Sequence, residues 1–221
     1  MRPAARRALF AAIAALAGVM TQGAFGGAAR AAVPELQQVT AAGRRAILTP
    51  PVMRAAGGRH ADITIVEYFD YNCPFCRRVA PTLAQLLAGD RKIALIYKDW
   101  PILGAPSVYA ARSALAARWQ GKYLVAHDAL LDGPRLTGDE QIDAILRRAG
   151  IDMPRLKKDL AAHSAEITAA LARNDAEARA LELDGTPGII VGSTILPGIV
   201  DLGFFKRLVA AERASGPSTA K

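Results

Sequence analysis

Cysteine is nearly absent: the 221 residues hold two, Cys73 and Cys76. That excludes a fold stapled by disulfides spread along the chain, and it excludes a closed four-thiolate zinc site. Histidine is almost as scarce, and His60, His127 and His163 are dispersed, so no histidine cluster completes a metal set. Acidic residues are missing from the first 31 positions, which carry Arg2, Arg6, Arg7 and Arg30. Beyond them 24 basic residues face 20 acidic ones, spread along helices instead of forming a stripe, which argues against nucleic acid as a partner. The apolar stretch Leu9 to Met20 is shorter than the roughly 20 residues a membrane-spanning helix needs.

What the first 31 residues do contain is a basic start, a short apolar core and the small-residue site Ala29-Arg30-Ala31. These are the parts of a secretory signal peptide, expected to be cleaved on export so that the mature chain starts near Ala32. Arg6-Arg7 leaves twin-arginine export open as an alternative. With no cysteine before position 73, a lipoprotein-type anchor is not expected.

Residues 32–61 read as an N-terminal leader, punctuated by Pro50-Pro51 and Gly57-Gly58, either draped on the surface with a short helix around Glu35–Arg45 or serving as an oligomerisation arm. From Ile63 to Phe69 both faces are apolar, as in a buried strand, and Ile93 to Tyr97 repeats the pattern up to Lys98. Between them Val79, Leu83, Leu86 and Leu87 recur at helical spacing, with Pro74 at the start and a kink expected at Pro81. The chain then becomes a block of helices over about 105–184, with Thr137-Gly138-Asp139-Glu140 as a capping box. Gly188 to Val191 and Thr194 to Leu196 read as two short strands around Gly192-Ser193. Leu202, Phe205, Leu208 and Val209 mark a closing helix, and residues 215–221 a frayed tail. The class is α/β, and the order is that of a thioredoxin fold with an inserted helical domain, occupying residues 62–214.

A disulfide within Cys73-Pro74-Phe75-Cys76 closes a four-residue loop, for which chain entropy gives only about 2 kcal/mol, against nearly 5 for a hundred-residue loop. The pair suits a reagent better than a staple. Cys73 at the helix start would face unpaired N–H groups and the positive end of the dipole, which lower a thiol pKa. A low-pKa thiol favours the reduced form, so its disulfide oxidises others. Cys73 is expected to be accessible and Cys76 to face inward, with Arg77 and Arg78 adding positive charge from an exposed helix face. A two-thiolate copper site and an inert structural disulfide are the competing readings.

Phe69 to Arg77, Tyr97-Lys98-Asp99-Trp100-Pro101-Ile102 and Gly185-Thr186-Pro187-Gly188 resemble the DsbA family of bacterial periplasmic thiol–disulfide oxidoreductases, within it the Com1-like and ScsC-like branch. The resemblance covers roughly residues 62–212. It implies that Cys73 attacks and Cys76 resolves, and that Pro187 is a cis-proline preceded by Thr186 in a loop facing the cysteines. Pro74, Phe75 and Thr186 would then contact substrate. Glu67 matches the family's buried acid, able to exchange a proton with Cys76; an ordinary strand-end ion pair, with Lys98 as partner, is the alternative. The implied partners are unfolded or cysteine-containing secreted proteins and a membrane redox protein of DsbB or DsbD/ScsB type, with no organic cofactor, no metal and the oligomeric state left open. The best-known oxidant of the family has histidine where this chain has Phe75. A potential between about −270 mV (thioredoxin) and about −120 mV (DsbA) is therefore expected, with oxidation the leading direction and isomerase or reductase activity the rival. Phe75, Trp100 and Ile102 are candidates for an apolar surface around Cys73; Trp100 and Trp119 can equally be core or rim aromatics, and His127 reads as a packing residue.

Overall fold

The computed structural model describes residues 36–49, 53–57, 60–196 and 198–216. The export segment expected over residues 1–31, the first leader residues and the end of the tail lie outside the described residues.

Five strands form one mixed sheet in the order β1-β3-β2-β4-β5. β2 (Ile63–Phe69) and β3 (Ile93–Asp99) run parallel at its centre, joined by α2 (Pro74–Gly89). On one side β1 (Met53–Ala56) pairs antiparallel with β3; on the other, β4 (Gly188–Val191) pairs antiparallel with β2, and β5 (Thr194–Ile195) with β4. Both central strands are buried on both faces, which is why their sequences are continuously apolar instead of alternating. The β4–β5 turn rests on Gly192 at φ +60°, where an added Cβ would collide with the Glu212 carboxylate. That carboxylate accepts from the Ser193 N–H and from the hydroxyls of Ser193 and Thr194.

The period-two alternation assigns each face its own core. On one face Ile63, Ile65, Leu95, Ile189 and Val191 pack against Val79, Leu83 and Leu86 of α2 and against Phe205, Leu208 and Val209 of α8 (Leu202–Ala214). On the other, Val66, Tyr68, Ile96 and Ile190 pack against Val39, against Ile47 of α1 (Ala41–Ile47) and against Ala178 of α7 (Ser164–Ala180). Between β3 and β4 lie α3 (Ala105–Ala117), α4 (Tyr123–Asp132), α5 (Asp139–Arg148), α6 (Met153–Ala162) and α7. Their apolar core is continuous with Phe69, Tyr71, Cys73 and Cys76, so the inserted helices form one wall of the cysteine site.

The architecture expected from the sequence is present, with local differences. The leader is more than a draped segment: Met53–Ala56 is an edge strand, and Gln38 bridges to Thr194. Met, Arg and two alanines carry no β-branched signature, so the strand was not legible. The short helix begins at Ala41, capped by the Thr40 hydroxyl, and not near Glu35. α2 runs through Pro81. At the expected capping box, Gly138 occupies the cap position and Gln141 Oε1 accepts from both the N–H and the hydroxyl of Thr137. Trp100 belongs to the core beside Tyr68 and donates to Asp175, so it contributes no apolar surface near Cys73.

Lys98 was a candidate partner for Glu67, and the strand register rules that out. Glu67 stands opposite Tyr97 and Lys98 opposite Tyr68, so the two side chains leave opposite faces of the sheet. Lys98, 2% exposed, pairs instead with Glu177 of α7 at 2.8 Å, and the Tyr68 hydroxyl donates to the same oxygen at 3.0 Å. Removing one member of such a pair strands a buried charge. Glu177→Ala should therefore lower the unfolding free energy by about 3–5 kcal/mol in urea titration. A loss below about 1 kcal/mol would place Lys98 in a solvated setting.

Candidate active site

β2 ends at Phe69, and three residues carry the chain from the sheet to the helix start. Their backbone is fixed from several sides. The buried Asp70 carboxylate accepts from the Asn72 N–H (2.7 Å), the Ser107 hydroxyl (2.7 Å) and the Leu103 N–H (2.9 Å), while its carbonyl accepts from the Cys73 N–H (3.0 Å). This Asx-type turn ties the loop to the segment after β3. Asn72 pairs both backbone groups of Leu136, its amide donating at 3.0 Å and its carbonyl oxygen accepting at 2.8 Å. Arg77 does not lie on an exposed face. Its guanidinium donates to the carbonyls of Tyr71, Leu130, Gly133 and Pro134, satisfying groups left open at the end of α4. Sequence reasoning missed these three anchors; the Asp-x-Asn spacing before the cysteine was the available signal for the turn.

Cys73 is the N-cap of α2, with extended backbone and its sulfur accepting from the Cys76 N–H at 3.4 Å; Pro74 takes the first helical position. Both thiols are free. Cys76 is fully buried, as expected, and Cys73 is more enclosed than expected, at 2% exposure. The reason is the loop across from it: the Thr186-Pro187 bond is cis, and the Cys73 thiol donates to the Thr186 carbonyl oxygen at 3.0 Å. A groove of about 720 Å³ opens beside that loop, lined by Leu36, Phe75, Arg78, Leu183, Pro187 and Ile199 among others. Phe75 is 48% exposed on its rim, with the Arg78 guanidinium 4.9 Å above its ring. Ile102 is also exposed.

The electrostatics separate the two thiols. Cys73 is lowered to about 6, chiefly because the Cys76 thiol donates to its sulfur; Thr186 and the N–H groups of Cys76 and Phe75 add to this against an opposing push from burial. The leading donor is thus the second cysteine, with the helix N–H groups in support. Cys76 is driven far up by burial, by its bond to Cys73 and by the nearby Glu67. Glu67 is itself buried and is raised to about 8, first by burial and then by Cys73. Its Oε1 has no hydrogen-bond partner among the described residues. The arrangement holds one sulfur as thiolate near neutrality, one as thiol, and a protonated carboxyl close to both.

Of the residues singled out from sequence, Cys73, Cys76, Thr186, Pro187, Pro74 and Glu67 converge here, and Phe75 sits on the groove rim. His127 is a packing residue, buried and stacked on Tyr97 at 4.0 Å. Trp119 stacks on His163 away from the cysteines.

Residues 64–210 match the family model of the DSBA-like thioredoxin domain. Among solved structures, the chain is similar to a thioredoxin-like oxidoreductase from Silicibacter pomeroyi DSS-3, with 38% identity and a TM-score of 0.70 over 75% of this chain and 94% of that one. It is also similar to the thiol-disulfide exchange protein alpha-DsbA2 from Wolbachia pipientis, with 29% identity and a TM-score of 0.71 over 76% and 90%. A probable disulfide bond formation protein D of Bacillus anthracis is 26% identical over 155 residues, 64% of this chain and 70% of that protein. The chain spans only 26% of the length of other curated relatives that it matches, Na(+)/H(+) antiporter NhaA 1 proteins of Mycolicibacterium.

The depressed Cys73 value gives a direct expectation. Alkylation of the reduced protein, followed at each cysteine by peptide mass analysis, should show Cys73 reactivity rising with a midpoint near pH 6. Cys76 should stay unreactive through the ordinary thiol range. Faster labelling of Cys76 at neutral pH would reverse the assignment.

Proposed function

The chain belongs to the DSBA-like thioredoxin domain family, and we propose that it is a protein thiol–disulfide oxidoreductase that works outside the cytoplasm as an oxidant of cysteine pairs in exported proteins. The observation that carries this direction is the low pKa of Cys73. A thiolate stabilised by its surroundings is a good leaving group and a stable product, so the reduced form is favoured and the disulfide accepts electrons readily.

The proposed cycle starts with the Cys73–Cys76 disulfide. A substrate thiolate attacks the Cys73 sulfur, the Cys73–Cys76 bond breaks, and Cys76 departs as a thiolate. Glu67, protonated below its raised pKa, gives its proton to that buried sulfur. A second substrate thiolate then attacks the substrate sulfur of the mixed disulfide, and Cys73 leaves as the stabilised thiolate. The substrate has lost two electrons and the Cys73–Cys76 pair has gained them. A membrane redox protein of DsbB type would restore the disulfide. Thr186, Pro187, Phe75 and Arg78 line the groove in which the segment flanking the substrate cysteine would lie, and Pro74 opens the helix between Cys73 and Phe75. Residues 1–31 would deliver the chain to the periplasm and be removed there.

Thiol trapping in growing cells tests the direction. The account expects the Cys73–Cys76 pair to be oxidised at steady state, and a glutathione titration to give a potential between about −270 and −120 mV. Cys76→Ser should accumulate mixed disulfides through Cys73. A pair found fully reduced in cells would make the protein an isomerase or reductase kept reduced by a DsbD-type partner.

A further inference from the structure

In either direction of exchange, one proton must move between Cys76 and Glu67, and Glu67 must then exchange it with solvent. Glu67 is 1% exposed. Above it, Cys73 is 2% exposed and bonds to the Thr186 carbonyl, and a substrate held in a mixed disulfide would cover the same spot. Of the two register partners of Glu67 on its face of the sheet, Ile189 on β4 is apolar and Tyr97 on β3 carries a hydroxyl. Tyr97 is partly exposed and lines a second groove of about 450 Å³, where α2 and α4 meet beside β3, together with Pro81, Leu124, His127, Asp128 and Asp132.

Tyr97 is fixed there by its environment. Its ring lies on the His127 imidazole at 4.0 Å and 25°, and His127 Nδ1 meets the Tyr71 hydroxyl at 3.3 Å. His127 Nε2, also buried, has no partner among the described residues, like Glu67 Oε1. Such atoms in one region of a core are unusual, because buried polar groups are normally satisfied. The His127 ring of α4 stacks on Tyr97, and the other titratable groups that act electrostatically on its phenol are Glu67 from β2, Asp128 and Asp132 from α4, and the Tyr71 and Tyr123 phenols. Burial and the carboxylates hold its proton on, so it stays a neutral hydroxyl able to donate and accept. Asp128 and Asp132 are exposed on the groove's rim, and Asp128 is itself raised by burial and by Asp132.

We propose that Tyr97 is the proton-relay residue for Glu67, passing protons between the buried carboxyl and water in the groove between α2 and α4, with Asp128 and Asp132 as the acids that exchange with solvent. Glu67 Oε1 has no direct hydrogen-bond partner among the described residues, so one water joins it to Tyr97. When Cys76 has taken the proton of Glu67, the Tyr97 O–H passes its proton through that water to the carboxylate while its oxygen takes one from groove water. In the opposite direction each transfer reverses. No electron moves, and the net change is one proton carried between water and the Cys76 sulfur. The relay rests on the acid–base reading of Glu67, and it adds a route that stays open while substrate occupies the Cys73 side.

The test is stopped-flow reaction of the reduced protein with excess symmetrical aromatic disulfide. The first thiol released reports attack by Cys73; the second reports attack by Cys76 on the mixed disulfide, the step that needs a base. Tyr97→Phe keeps the ring and its stack on His127 but removes the hydroxyl. It should slow the second phase about tenfold and leave the first within about twofold, with partial recovery when a small buffer base such as formate is added to take up the proton. In the double variant with Glu67→Gln the two effects should not add, because both residues serve one path. If Glu67→Gln slows the second phase and Tyr97→Phe does not, the relay is wrong and the role of Glu67 stands. If neither slows it, the role of Glu67 fails and the relay with it. Equal slowing of both phases in Tyr97→Phe, or additive effects in the double variant, would make Tyr97 merely structural.

Discussion

The first turn of any helix leaves N–H groups without partners, and in this protein the turn that follows β2 is buried against the inserted helices and faced by the Thr186-Pro187 loop. A sulfur at the cap position, Cys73, is what meets those donors. That one constraint sets the rest of the site. The first thiol is lowered because its surroundings donate to it, the second is raised first by burial and then by donating to the first, and the carboxyl beneath is raised because it shares their enclosure. None of the three groups would have useful chemistry alone. Together they hold one nucleophile, one proton and one acid at neutral pH.

The two faces of the sheet divide the work. Glu67 and Tyr97 project toward α2 and α4, where the chemistry is. Tyr68 and Lys98, one residue along, project toward α7 and join the Glu177 carboxylate, fixing the insertion to the sheet. The insertion returns the favour at the loop, where Leu136, Ser107 and the carbonyls at the end of α4 hold Asn72, Asp70 and Arg77. Cys73 is therefore positioned by residues from the insertion as much as by its own helix, which explains why an all-helical block sits between two strands of a small sheet.

Much of this was legible in the sequence, for specific physical reasons. β2 and α2 announced themselves by uninterrupted apolar residues and by Pro74 at a helix start, and the Cys73-x-x-Cys76 spacing pointed to chemistry because so short a loop makes a weak staple. The cis bond and the buried acid came from the resemblance and not from any local pattern. What stayed hidden was whatever depends on register or on long-range contact. Lys98 and Glu67 looked like neighbours in one dimension, and parallel pairing put them on opposite faces. β1 has no strand-forming residues and exists because β3 offers it an edge. Arg77 looked solvated, yet three of the four carbonyls it donates to lie more than fifty positions away.

The central claim is that the folded environment prefers Cys73 as a thiolate, and linkage makes that preference measurable as stability. A thiol lowered from its ordinary value of 9.0 to about 6 contributes stability that is fully present above the ordinary value and is lost as pH falls through the lowered one. The most direct measurement is the unfolding free energy of the reduced and oxidised proteins from about pH 5.5 to pH 8. The account predicts that the reduced form gains on the oxidised form as pH rises through that window. A difference that stays flat with pH, or one that moves in favour of the oxidised form as pH rises, would contradict it.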